Sequence, residues 1–176
     1  MNAYAHWVHQ WPLLSAALQF ALLGTLGEVL AGWLATRRLP FPLAWLPAKM
    51  LAWAVLGVVI KLGFVMMKGA SAGLLAWLGE PALLSTGVGR ALLVSVLTNL
   101  FFGPQMMAFH RLEDNLIAGT RNWQGLDRAW KSLIWFWIPA HTLTFSLPTE
   151  YQLGLAALWS VALGLILGLS RGPRSN

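Results

Sequence analysis

Apolar residues gather along the chain in five long stretches, punctuated by prolines, glycines and charges. A helix that crosses a membrane takes roughly 20 apolar residues, so each stretch reads as a candidate span. The first runs from Pro12 to Thr36 and stops at Arg37-Arg38. Leu39-Pro40-Phe41-Pro42 follows, and its prolines forbid a helix interior and mark a tight connection. The second, Ala44 to Met67, holds Pro47 in its first turn, where proline is tolerated, and ends at Lys68. The third, Arg90 to Phe109, is broken near its end by Gly103-Pro104. The fourth, Trp130 to Leu147, is short and carries Pro139, His141, Thr142 and Thr144. The fifth, Tyr151 to Ser170, is clean. Between them, Gly69 to Gly89 is too short to span and reads as an interfacial turn of helix, and His110 to Arg128 is polar. The pattern predicts an all-α, polytopic transmembrane helix bundle of about five spans, two of them proline-broken, in a single integral membrane domain over residues 1–176.

Composition agrees. A chain that is 57% hydrophobic and 10% charged, with mean hydropathy +0.62, has too much apolar surface to hide inside a globule of its size. The lack of cysteine removes disulfides, thiolate catalysis and Cys-ligated metal centres. The pI near 10.6 does not point to nucleic acid, because the basic residues are spread among segment ends and not gathered on one face. They fit the positive-inside rule better. Arg37, Arg38, Lys49, Arg111, Arg121, Arg128, Lys131, Arg171 and Arg174 fall on one side of a five-span chain, against Lys68 and Arg90 on the other, with Lys61 inside the second span. That bias predicts N-outside, C-inside. Omitting the fourth span would put Arg171 and Arg174 on the wrong side. Met1 to Gln10 has no basic residue, so no secretory or mitochondrial leader is expected there. Trp7, Trp11, Trp33, Trp45, Trp77, Trp123 and Trp130 lie at or just beyond span ends, where indole anchors in the headgroup layer; Trp53, Trp135, Trp137 and Trp159 lie within spans.

Glu28 is the only charge in the first stretch. A carboxylate near a bilayer centre costs about 2.5–3.5 kcal/mol on insertion scales, so it marks a candidate site. Gly24, Gly27 and Gly32 beside it let another backbone come close. At ~1.5 Å per residue, Glu28 lies about 5 Å to the inner side of its span's midpoint, and Lys61 about 9 Å to the outer side of its own. An ion pair between them is awkward. Asn99, Gln105 and His141 match Glu28 better by depth, with Arg111 reaching it from the inner rim. Glu28, Asn99, Gln105, His141, Thr142 and Thr144 therefore form a candidate solute path, in which the broken helices expose backbone groups to a solute. The same residues also serve as glue between helices if they only satisfy one another and the backbone freed at the prolines.

Small residues recur every four positions in the fifth span, at Ala156, Ser160, Gly164, Gly168 and then Gly172, and the first span repeats them at Gly27, Ala31 and Ala35. Such ridges let helices pack closely. The two fit against each other or, in a homo-oligomer, against a second copy; the first is preferred, since the bundle needs its own close contacts. No nucleotide-binding glycine loop, paired metal-spaced histidines or nucleophile–base pair is visible, so no enzyme activity, cofactor or metal is expected. Glu113 and Asp114 read as solvated or salt-bridged loop charges, and His6 and His9 as incidental residues of the terminus.

Three blocks resemble the Mpv17/PMP22 family of small multi-span mitochondrial and peroxisomal membrane proteins, which also has bacterial members. Pro12 to Ala31, with Gly27-Glu28, is similar to that family's opening proline and Gly-Asp, with Glu in place of Asp. Gly103-Pro104 with Phe109-His110-Arg111 and Asp114 resembles its Gly-Pro block. Trp137 to Gln152 resembles its Trp-Pro, Gln, Asn-Phe, Val-Pro and Arg signature, although Pro139 comes one residue late and His141, Thr144 and Gln152 stand at the Gln, Asn and Arg positions. The spacing from Phe145 to Pro148 is one residue short. The resemblance implies a small channel or solute-passage protein, here a bacterial member in the inner (plasma) membrane; the alternative is a eukaryotic organelle membrane. The expected function is a channel or transporter for a small solute, with Glu28 setting a preference for cations. The alternative is a non-transporting scaffold or accessory subunit that offers the Ala156 to Gly168 ridge to a partner helix. The lipid bilayer and a small solute are the expected partners.

Overall fold

Asn2 Oδ1 accepts the backbone N–H of Ala5 at 2.9 Å and so starts α1, Ala3–Gln10. Pro12 opens α2, Pro12–Thr36, where its missing N–H has no partner to lose. Arg37 ends that helix in a left-handed conformation, φ 55°, with its guanidinium 4.7 Å over the Trp33 ring. After the proline-rich connection and a tight turn of helix over Leu43–Trp45 come α3, Leu46–Trp77, and the short α4, Ala82–Ser85. Thr86 Oγ1 caps α5, Gly87–Leu97. A π-helical turn over Thr98–Phe102 leads without interruption into α6, Gly103–Ala118. The chain then forms α7, Leu126–Ser132, a second π turn over Leu133–Trp137, α8, Ile138–Phe145, and α9, Thr149–Ser170. This computed structural model describes residues 2–170, and the side chains of residues 2–166. Arg171, Gly172 and Arg174 lie outside the described residues, and Gly168 is described only by its helical backbone.

The protein is all-helical among the described residues, and four helices are long and apolar enough to cross a membrane: Pro12–Thr36, Leu43–Trp77, Gly87–Ala118 and Thr149–Ile166. Leu14, Leu18 and Leu22 on α2, Leu51 and Val55 on α3, and Leu92 on α5 are exposed, as lipid-facing residues are. The segment read as the fourth span is helical from Leu126 to Phe145 but less apolar than these four.

Two expectations need correction. Gly69 to Gly89 is not a separate interfacial piece, because α3 continues through Gly69 and Gly73 to Trp77. Each glycine costs about 1 kcal/mol in a helix, and the burial of Ser71 and Leu75 on the same stretch opposes that cost. Nor are the helices broken at Pro104 and Pro139. In each, the residue before the proline closes the π turn: Gly103 N–H donates to Thr98 O, and Ile138 N–H to Leu133 O. Proline comes next, with no N–H to donate and a ring that crowds the preceding turn; the wider π turn makes room for it.

Contacts gather into two compact units, one from the chain up to Val58 together with the chain from Gly154, the other Val59–Leu153. In the first, α2 has a neighbour on two faces. Towards α3, a Cβ at Gly57 would lie 2.6 Å from Ala16 O, and one at Gly24 would overlap the Trp53 indole. Towards α9, a Cβ at Gly27 would lie 3.1 Å from Val161 Cα, and one at Gly164 2.8 Å from Gly27 O and 3.4 Å from Ala31 Cβ. Ala156 and Ala157 are buried. Tyr4 Oη donates to Gln19 Oε1 at 2.8 Å and ties α1 to α2.

In the second unit α5 lies beside α8, α6 beside α7, and one π turn beside the other, so the two π-bearing helices run antiparallel. Gly103 meets Leu133 and Gly63 meets Phe102, in both cases where a Cβ would collide. The Trp130 indole N–H donates to Pro104 O at 3.3 Å.

Backbone contact at Gly164 leaves no side chain to swing aside. Gly164→Leu is expected to destabilise the protein by about 1–3 kcal/mol, the usual overpacking range. Gly73→Ala, in open space, should be neutral or stabilising. Detergent-titrated unfolding of both variants checks this, and equal effects would contradict it.

Candidate functional site

Glu28 is half-buried on α2, and its two oxygens are taken. Lys49 Nζ donates to Oε1 at 2.6 Å, and Trp53 Nε1 donates to Oε2 at 3.1 Å. The Lys49 ammonium also lies 5.3 Å from the centre of the Phe41 ring. The local sequence produces this. The proline-rich connection turns α3 back along α2, so that Gly57 meets Ala16, Trp53 meets Gly24 and Lys49 meets Glu28 in antiparallel order. Lys49 and Trp53 are one helical turn apart and share a face. Glu28 is thus held by Lys49 and Trp53, two residues that the depth match did not name. Lys49 is a buried member of α3. The signal lay in their positions: at ~1.5 Å per residue, Lys49 and Trp53 fall on the same side of their span's midpoint as Glu28 does of its own.

The second unit builds a different cluster around the π turns. Asn99, on the first π turn and 1% exposed, donates through Nδ2 to Ser95 O at 2.8 Å and approaches His141 Nδ1 at 3.1 Å. Both Asn99 amide protons are then used, so His141 Nδ1 is the acceptor and its ring proton sits on Nε2. Ser95 Oγ donates to Ile138 O at 2.7 Å, a carbonyl that also accepts from Thr142 Oγ1. Thr144 Oγ1 donates to Ala140 O at 2.9 Å. Gln105 is exposed on α6. Of the residues read as a path, the structure therefore brings Asn99 and His141 into direct contact, puts Thr142 and Thr144 on the same helix as His141 with their hydroxyls on its carbonyls, and leaves Gln105 on the surface.

Two atoms beside His141 are unsatisfied: Asn99 Oδ1 and Trp137 Nε1 are buried and have no hydrogen-bond partner among the described residues. The Trp137 ring lies 5.0 Å from the imidazole, centre to centre, and Phe64 and Phe145 pack on it at 5.4 and 5.9 Å. A free acceptor, a free indole donor and an Nε2–H thus occur within an aromatic wall. Ser95 and Trp137 were not singled out from the sequence as site residues. The in-span prolines that follow them, Pro104 and Pro139, were the available signal, since a disturbed helix within a span often lies at a functional site. No group of three or more metal-ligating side chains occurs among the described residues.

The chain matches no protein-family model, no curated protein and no solved structure.

Removing one member of a buried ion pair strands the other. Glu28→Gln and Lys49→Met alone should each cost on the order of 3 kcal/mol, and the double variant less than the sum of the two. A double-mutant cycle on detergent-purified protein measures this; additive losses would show that the pair is not coupled.

Proposed function

We propose that the protein is a five-span, N-outside and C-inside protein of the bacterial inner membrane that passes a small solute, with the Asn99–Trp137–His141 cluster as the solute-contacting element. The observation that carries this reading is the pair of buried, unsatisfied atoms, Asn99 Oδ1 and Trp137 Nε1, beside the His141 ring. Each such group costs roughly 1–3 kcal/mol, a cost that a hydrogen-bonding solute or water offsets. The resemblance to the Mpv17/PMP22 family points the same way.

The fifth crossing has support of its own. The helix from Leu126 to Phe145 is about 30 Å long at ~1.5 Å per residue, enough for the hydrocarbon core. It lies beside both halves of the Gly87–Ala118 helix and exposes Ile134, Trp135 and Leu143. Counted as a span, it returns Arg171 and Arg174 to the side that holds Arg37, Arg38 and Arg121.

Glu28 has another role in this reading. Its charge is balanced by Lys49, so it pins α2 to α3 and does not set a cation preference. The scaffold reading is weakened because Gly164 is already occupied by Gly27 and Ala31 of the same chain.

Reconstituted liposomes test the proposal by swelling in small polyols and sugars and by conductance in potassium chloride. The native protein should pass at least one of these probes. Asn99→Leu and His141→Leu should cut that flux by about tenfold or more, on the scale of losing one hydrogen bond to a solute. The Glu28→Gln/Lys49→Met double variant should keep its selectivity. No flux of any probe, or flux indifferent to Asn99 and His141, would remove the reading.

A further inference from the structure

Positions 61, 64, 68, 71 and 75 follow helical spacing and share one face of α3. Phe64 of that face packs on His141 and Phe145, and the Lys68 ammonium lies 5.9 Å from the centre of the Phe145 ring. Beyond Lys68 the face borders an open recess of about 200 Å³, lined also by Arg90 and Val94 of α5 and by Glu80 after α3. The recess has room for several waters.

Its polar lining consists mainly of donors. Lys68 is half-buried and has no carboxylate within 4.0 Å among the described residues. Ser71 is 2% exposed and lines the recess. Its hydroxyl rotates to suit its partners and can donate into the recess. Arg90 meets Glu80 at 3.9 Å, a long contact between side chains more than half exposed, and such pairs hold little energy. The guanidinium keeps donors for another partner. Lys61, two turns along the same face, adds positive charge, and Glu80 is the one carboxylate in the lining.

We propose that this recess is an oxyanion site that binds a phosphate group through Lys68, Ser71 and Arg90. An ammonium, a guanidinium fork and a hydroxyl around a recess of this size match the three or four oxygens of a phosphate. Two sources share that chemistry: a free phosphorylated solute and the headgroup of an anionic phospholipid. The site is independent of the solute-passage reading, since binding is measured at equilibrium without flux.

The experiment uses the full chain in a maltoside detergent, which carries no phosphate. Inorganic phosphate titrated by calorimetry should bind once per chain and weaken by about tenfold or more in Lys68→Gln and Arg90→Gln. Lys68→Arg should retain binding, and Arg121→Gln, in a distant loop, should match the native protein. Native mass spectrometry with added phosphatidylglycerol forms the second arm. Retention of that lipid by the native protein and its loss in Lys68→Gln, without binding of inorganic phosphate, supports the site with the headgroup as its ligand. Binding of neither probe would overturn the proposal, and so would binding of either that is unchanged in Lys68→Gln and Arg90→Gln. Because Lys68→Arg keeps the charge and bulk, its loss of binding together with a lowered unfolding temperature would identify a packing role and also overturn it.

Discussion

Within hydrocarbon a backbone N–H or C=O has no water to bond, so each helix must close its own ladder. Prolines 104 and 139 threaten that ladder in two helices that lie side by side. Both times the chain answers with a π turn that ends just before the proline. The helices stay continuous, and the two wide turns come to rest against each other. Asn99 and Trp137 belong to those turns, and His141 follows one turn later. The polar cluster of the Val59–Leu153 unit is therefore a consequence of how proline is housed.

The first unit obeys a different limit, set by distance between backbones. Hydrophobic burial gives little drive for helix association in lipid, and close approach supplies it. Gly24 and Gly57 bring α2 to α3, and Gly27 and Gly164 bring α2 to α9. At that separation Lys49 reaches Glu28 directly and the Trp53 indole supplies a second bond. The most conspicuous charge of the chain is thus spent on holding two helices in register. The buried Asn99 Oδ1 and Trp137 Nε1, in the other unit, have no hydrogen-bond partner among the described residues, and they carry the functional reading.

The apolar pattern located helices wherever lipid-facing residues dominate, because exposure to hydrocarbon constrains nearly every position. It failed at Gly69 and Gly73, where glycine suggested a stop and the buried neighbours Ser71 and Leu75 kept α3 going. Pro104 and Pro139 were legible as disturbances but not as π turns, since propensity reports a lost hydrogen bond and not how the chain replaces it. Asn99 and His141 were legible as polar residues out of place. Their mutual contact was not, because it depends on the antiparallel match of α5 with α8.

Composition and spacing by themselves determined an all-helical chain with helices apolar enough to cross a membrane, the lone charge of α2 at Glu28, and the small-residue faces of α2 and α9, because hydrophobicity and size belong to each residue by itself. Only the tertiary structure decided the partners: Lys49 and Trp53 for Glu28, His141 for Asn99, Gly27 for Gly164, and the company of Lys68 with Ser71 and Arg90. Pairing depends on which faces of two helices meet and at what height. That information lies in the packing and not in any one segment of the chain.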